Sequence, residues 1–199
     1  MILSYRDERT RDFATGKRVK AFFGIERAAR LKLDRLEAAA SLKDLAALPG
    51  NRFEALKGKR KGQYSIHQRP MAGMLRMARQ IARGDSRRDC RLSLSRITFM
   101  PITAIHPGEH LAEELEALGM SAAELARQLK VPTNRITAII NGQRAITGDT
   151  ALRLGHFFGT SPEFWLNLQS LYELRLAEQK AGKSIRILPT LKKDAPAHP

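Results

Sequence analysis

The sequence predicts a mainly α protein, with a compact five-helix domain in its C-terminal part and an incomplete α+β piece in front of it. Three observations carry this. Ser121–Arg144 reads as helix, tight turn, helix. Apolar stripes at helical spacing flank that stretch on both sides, and the chain up to Ile66 reads instead as strand, helices, strand, strand.

The central stretch justifies itself residue by residue. Ser121 followed three residues later by Glu124 is a capping-box signature ahead of Leu125 and Leu129. The helix must stop by Val131, because Pro132 lacks an N–H and disfavours helical backbone in the residue before it; the same proline suits the first turn of a second helix. Ile136, Ile139 and Ile140 then repeat at i, i+3 and i+4, and Asn141-Gly142 supplies an ending. Thr133, Asn134, Arg135 and Thr137 form the polar face, and Ala126 is small enough for the two helices to cross closely. Such a pair is either a helical hairpin in an all-α domain or a helix-turn-helix, whose second helix enters the DNA major groove.

The flanks complete a five-helix bundle. Leu111, Leu115 and Leu118 mark a helix before the pair; Ala151, Leu152, Leu154, Phe157 and Phe158 mark one after it; Ser161-Pro162-Glu163 opens a last helix to Lys180 through Trp165, Leu168, Leu171 and Leu174. The segments HPGEHLAEEL, VPTNRITAIINGQRAIT, DTALRLGHFFGTSPEFWLNLQ and LYELRLA, between Ile105 and Ala177, closely resemble the HigA family of antitoxins, within the lambda-repressor-like (XRE) helix-turn-helix group. The resemblance implies an HTH DNA-binding domain over 100–180, followed by a flexible tail over 181–199. It also implies a repressor of its own operon that neutralises a HigB-type mRNA interferase.

Candidates for base readout are Thr133, Asn134, Arg135 and Thr137, since Asn and Arg bond bidentately to purine edges. Gln128, Asn141, Arg144 and Thr147 are candidates for phosphate contacts that set register. One helix-turn-helix covers a half-site, so the expected partner is double-stranded operator DNA with an inverted repeat, bound by a homodimer. The last helix, with Trp165 and Tyr172, offers part of the dimer interface, unless Trp165 is simply core. Lys130 departs from the pattern: it occupies a turn position that favours Gly because the backbone there is left-handed, at a cost of about 1 kcal/mol.

Composition bounds the rest. The chain has 199 residues and a hydrophobic fraction of 43%, enough for one large or two small folded units. A single cysteine, Cys90, excludes an internal disulfide; no apolar run reaches membrane-span length, and Arg6, Asp7, Glu8 and Arg9 break any secretory core. A soluble cytoplasmic protein without membrane contact is expected. The net charge of +15 is uneven: 24 Lys and Arg against 10 Asp and Glu precede Met100, and 11 against 10 follow from it. Excess basicity of that kind favours phosphates without sequence preference.

In the first part, Met1–Tyr5 reads as a strand and Asp7–Phe13 as a polar link. Lys17–Ala40 is helical with a break at Gly24, a turn falls at Pro49-Gly50, and Arg52–Leu56 and Gln63–Ile66 alternate like two strands joined by a basic loop. This order, with LEAAASLKDL, LPGNRFEALKG and GQYSI, resembles HigB, a RelE-like ribonuclease toxin, truncated after residue 66. The further strands of that family, with a Trp-Arg-x-Cys-Phe-like segment and a terminal Asp-Tyr-His, are absent from the sequence. A marginal core and no ribonuclease activity are expected of 1–66.

Residues 67–99 are basic and aperiodic and read as a disordered linker rather than an RNA-binding arm. Read one nucleotide later, Met71-Ala72 and Met77-Ala78 must each encode Trp and Met74-Leu75 must encode Cys, so the shifted frame holds Trp-x-x-Cys-x-x-Trp. In that frame Leu92–Ser95 can spell Tyr-His-stop just before Met100, itself a natural start. The stretch thus reads as a toxin frame that slipped near His67 and ran into an antitoxin frame.

No catalytic set, cofactor site or metal site is expected, and the chain is read as a non-enzyme. His106 and His110 have i, i+4 spacing, but Pro107-Gly108 stands between them and both read as surface residues at a helix start; Cys90 reads as a bystander. Two other functions compete: a ribonuclease from the first part, and a protein-interaction module without DNA binding.

Overall fold

The computed structural model describes Tyr5 and residues 7–66, 79–80 and 103–189. The N-terminal part comprises α1 (Glu8–Ala14), a 3-10 turn at Lys20–Phe22, α2 (Glu26–Ala38), α3 (Leu42–Ala47), a 3-10 turn at Pro49–Asn51, and the strands β1 (Glu54–Ala55) and β2 (Gln63–Ser65). β3 (Arg79–Gln80) completes a three-stranded sheet of order β1-β2-β3, both pairs antiparallel, with Glu54 opposite Ser65 and Gln63 opposite Gln80. Five helices follow: α4 (Pro107–Leu118), α5 (Ala122–Leu129), α6 (Thr133–Ile140), α7 (Gly148–Phe158) and α8 (Pro162–Ile185).

The five-helix domain is built as its sequence signals direct. Ser121 Oγ accepts from Glu124 N at 3.1 Å and starts α5; the carboxylate of Glu124 turns to Arg127 and Gln128 instead of closing the capping box. Ser161 Oγ accepts from Phe164 N at 3.3 Å and starts α8, with Pro162 in its first turn. Leu111, Leu125, Ile136, Ile139, Leu154, Phe164 and Trp165 are fully buried and make one core. Trp165 is a core residue, and its indole N–H donates to Thr160 Oγ1 at 2.9 Å. α4 meets α6 at Gly108, where a Cβ would lie 1.8 Å from the carbonyl oxygen of Ile139. Only glycine allows that approach.

Several expectations are corrected. Asp7–Phe13 is not a link: Asp7 caps Thr10 N at 2.8 Å and residues from Glu8 form α1. The last helix does not stop at Lys180 but continues to Ile185. His106 and His110 are buried, not surface residues. His106 is the N-cap of α4, accepting from Gly108 N at 2.9 Å through Nδ1 and meeting Tyr172 edge-on at 4.8 Å. Pro107 and Gly108 open α4 rather than interrupt it. The strand expected at Met1–Tyr5 lies, apart from Tyr5, outside the described residues. So do the linker 67–99, apart from Arg79–Gln80, and the tail beyond Pro189.

The N-terminal part divides its apolar residues between two clusters. Phe13, Phe22, Ala29 and Leu33 pack together, with the Arg30 guanidinium 4.7 Å from the Phe13 ring centre. Leu36, Ala38, Leu45, Leu48 and Ile66 join the core of the five-helix domain. The first part thus has one small cluster of its own, around Phe13, and contributes its remaining apolar residues to the larger core.

The joint between the two parts is ionic as well as apolar. Arg35, on α2, has no exposed surface. Its guanidinium lies 2.8 Å from Glu113 Oε2 and 2.7 Å from Glu114 Oε1, and donates to Asn51 Oδ1 at 3.0 Å and to His110 Nδ1 at 3.4 Å. Glu114 Oε2 accepts from Gly50 N at 2.8 Å, and Lys32 Nζ donates to the Gly50 carbonyl at 3.1 Å. Burial and the neighbouring Arg35 charge, opposed by Glu113 and Glu114, bring the Lys32 pKa down to about 8. Further out, Arg175 pairs with buried Asp34 at 2.7 Å, Asp44 Oδ1 accepts from Ser161 N at 2.6 Å, and Asn167 Nδ2 donates to the Ala38 carbonyl at 2.9 Å.

His110 makes this joint acid-sensitive. Burial, and then the charges of Arg35, Lys32 and Arg175, hold its pKa well below the ordinary 6.5. The unfolded chain therefore takes up a proton near pH 6.5 that the folded chain refuses, so the contribution is intact above 6.5 and is lost as pH falls below it. Urea denaturation at pH 7 and pH 5 measures the effect. His110→Gln should remove a slope of up to about 1.4 kcal/mol per pH unit from the stability of the parent in that window; equal slopes in both proteins would contradict it.

Candidate nucleic-acid interface

α5, the turn and α6 form a helix-turn-helix. Lys130 ends α5 with φ 53° and ψ 49°, the left-handed conformation expected there, and Val131 N bonds the Ala126 carbonyl at 3.0 Å. Pro132, extended at φ −60° and ψ 140°, is the N-cap of α6 rather than a member of its first turn. Leu125, Ala126 and Leu129 on α5 and Ile136 and Ile139 on α6 are buried, which turns the polar face of α6 outward.

Thr133, Asn134 and Thr137 are exposed on that face. The Thr137 hydroxyl donates to the Thr133 carbonyl at 2.7 Å, so its proton is engaged and its oxygen keeps both lone pairs as acceptors. Arg135 is half-buried and engaged: Nη1 donates to Asp149 Oδ2 at 2.6 Å, which leaves Nε and Nη2 for another acceptor. Gln128, Asn141, Arg144 and Thr147 are exposed. Gln128 donates to Glu124 at 3.2 Å, and Thr147 is the N-cap residue of α7 with its hydroxyl 3.3 Å from that of Thr150. The eight residues thus lie on or beside the helix pair, with Arg135 the one whose charge is already matched.

Three residues outside the sequence-based set fix this surface. Asp149 takes Arg135 on one oxygen and Arg153 Nε, at 3.0 Å, on the other; these bonds, Arg153 first, hold its carboxyl below the usual carboxylate value. Arg153 also donates to the Leu129 carbonyl at 2.8 Å, joining α7 to the end of α5. Gln169 Oε1 accepts from Ile146 N at 2.9 Å and ties the segment after α6 to α8. The i, i+4 spacing of Asp149 and Arg153 was legible; the reach of Arg153 and Gln169 to distant backbone was not.

A helix-turn-helix family model matches residues 111–165. Over 93 residues the chain is 50% identical to virulence-associated protein I of Dichelobacter nodosus, covering 46% of this chain and 85% of that protein. It is 35% identical over 85 residues to antitoxin HigA-1 of Vibrio cholerae, covering 41% of this chain and 80% of the relative. The chain belongs to the HigA antitoxin family. A solved addiction module antidote protein of the HigA family from Coxiella burnetii is 59% identical, covering 46% of this chain and all of that one, with a TM-score of 0.45. In each case the match takes in less than half of this chain.

Within this HigA-family domain Lys130 is one of two described non-glycine residues with positive φ, the other being Arg52. Its side chain is exposed, so the strain has no compensating burial. Lys130→Gly should raise the unfolding free energy by about 1 kcal/mol, read from the shift in urea midpoint at constant m-value. An unchanged or lower midpoint would mean that the backbone relaxes away from the left-handed geometry.

Proposed function

We propose that this chain is an antitoxin that represses its own operon by binding an inverted-repeat operator as a homodimer, and that its HigA-family domain also binds a HigB-type toxin. It acts by binding and not by catalysis, in the cytoplasm. The observation that carries the DNA-binding reading is the outward polar face of α6, with Thr133, Asn134 and Thr137 uncovered while residues 7–66 are in position. The exposed Leu152 on α7 and Leu174 on α8 support a second copy as partner. Among the described residues no helix is long and apolar enough to cross a membrane.

On this reading Asn134 and Arg135 read bases, and Gln128, Asn141, Arg144 and Thr147 set register on phosphates. Arg135 uses the nitrogens that Asp149 leaves open. Gel retardation of the full chain with the DNA upstream of its own coding sequence, at two salt concentrations, tests it. Asn134→Ala and Arg135→Ala should each weaken specific binding by roughly 5–150-fold, equivalent to 1–3 kcal/mol. If parent and variants instead bind alike, with steep salt dependence, the basic N-terminal part is holding phosphates without regard to sequence.

We further propose that residues 1–66 descend from a HigB-like toxin and that 67–99 are its downstream coding sequence read out of frame. The codons themselves decide this. The frame one nucleotide later should continue a toxin-like sequence through Trp, Cys and Trp at positions 71, 74 and 77 and end before Met100. A stop codon or an unrelated sequence in that frame ahead of position 92 would refute it.

A further inference from the structure

We propose that Asp149 is a specificity-determining residue: by holding Nη1 of Arg135 it leaves that guanidinium a single edge to offer DNA, the Nε–Nη2 fork, and so commits it to a guanine. The inference rests on the reading of α6 as the DNA-reading helix and deepens it.

A guanidinium has two edges that present parallel N–H groups, the end formed by Nη1 and Nη2 and the side formed by Nε and Nη2. Nη1 of Arg135 donates to Asp149 Oδ2 at 2.6 Å, which engages the end and leaves the side intact. Two donors held in one plane match O6 and N7 of guanine. Adenine puts an amino donor where guanine has O6, so the same fork rejects it. A guanidinium free to swing would instead take the nearest phosphate, a contact without sequence information.

Asp149 can hold Arg135 because it is itself fixed. It stands in the first turn of α7, where a carboxylate meets the positive end of the helix. Arg153 Nε donates to its Oδ1 at 3.0 Å, and Arg153 Nη1 donates to the Leu129 carbonyl at 2.8 Å. One chain of bonds thus runs from Arg135 on α6 through α7 to the end of α5. For affinity alone the placement is unfavourable: a carboxylate 54% exposed beside a surface that meets DNA repels the phosphates of every sequence. That penalty falls alike on all DNA, whereas the restrained fork favours sites with a guanine in reach, so the ratio between the two rises. The Arg135 side chain keeps 26% of its surface, enough for the fork to be reached. Solvent screens the pair, so its effect on discrimination is modest, roughly twofold to fivefold.

The test uses the full chain and duplexes from the DNA upstream of its own coding sequence, with each G·C pair in the bound region replaced in turn by A·T. The parent should lose roughly 5–150-fold in affinity at one guanine of each half-site. Arg135→Ala should lose that sensitivity, and so should Arg135→Lys, since an ammonium has no fork. Asp149→Ala, which keeps Arg135, should shrink the guanine-to-adenine ratio roughly twofold to fivefold and steepen the salt dependence by about one phosphate. In an Arg135→Ala background the same change should leave the ratio unaltered, whereas a merely structural role would persist there. In the DNA-free chain, nitrogen relaxation of the Arg135 Nε–H should report greater mobility in Asp149→Ala than in the parent. If the parent reads a guanine through Arg135 but Asp149→Ala leaves either the ratio or that mobility unchanged, this inference alone is overturned. A parent that discriminates at no guanine overturns it together with the DNA-reading function.

Discussion

A guanidinium with no exposed surface organises this molecule. Arg35 carries its charge into the joint between the N-terminal part and α4, and a buried charge is tolerated only where its hydrogen bonds and its countercharge are supplied together. Glu113 and Glu114 supply the charge, and Asn51, His110 and the His110 carbonyl supply acceptors. The geometry of several elements follows from that one demand: α2 must run alongside α4, and the turn at Pro49–Asn51 must bring Asn51 and Gly50 to the same spot. The solution is incomplete, because among the described residues His110 Nε2 and Asp34 Oδ1 are buried without a hydrogen-bond partner. A hydrophobic joint of the same size would be more stable and less selective.

Rigidity of the outward face of α6 has a different origin. Gly108 lets α4 approach the Ile139 carbonyl, Arg153 fastens the end of α5 to α7, and Gln169 holds the backbone at Ile146 to α8. These three contacts fix α6 from both ends and from behind. Reading helices need that, because a bidentate bond to a base edge tolerates little displacement.

The five-helix domain was legible because its signals are local. Ser121, Pro132, Ser161 and the leucine and isoleucine stripes each act within a turn or two of their own position. The exposure of Thr133, Asn134 and Thr137 was legible for the same reason, since it follows from the spacing of Ile136 and Ile139 on α6. His106 and His110 were misjudged because their burial comes from Tyr172 and from α2, far along the chain. The engagement of Arg135 was missed likewise, since Asp149 lies on the next helix. For the N-terminal part, the sequence resemblance suggested missing strands and therefore a marginal core; the cover supplied by α4 and α8 is a tertiary event that no local pattern announces.

Arg135 is the counterpart of Arg35 at the surface. Its pair with Asp149 lies at the surface, where solvent screens it and the interaction is weak. A phosphate or a guanine edge can therefore recruit the guanidinium at small cost, either by displacing Asp149 or by using the nitrogens that Asp149 leaves open. Until then Asp149, itself held by Arg153, keeps the side chain against α7 and restricts its rotamers. The contrast with Arg35 is one of dielectric. The same type of ion pair locks two parts of the chain together where water is excluded, and leaves a guanidinium available to another acceptor where water remains.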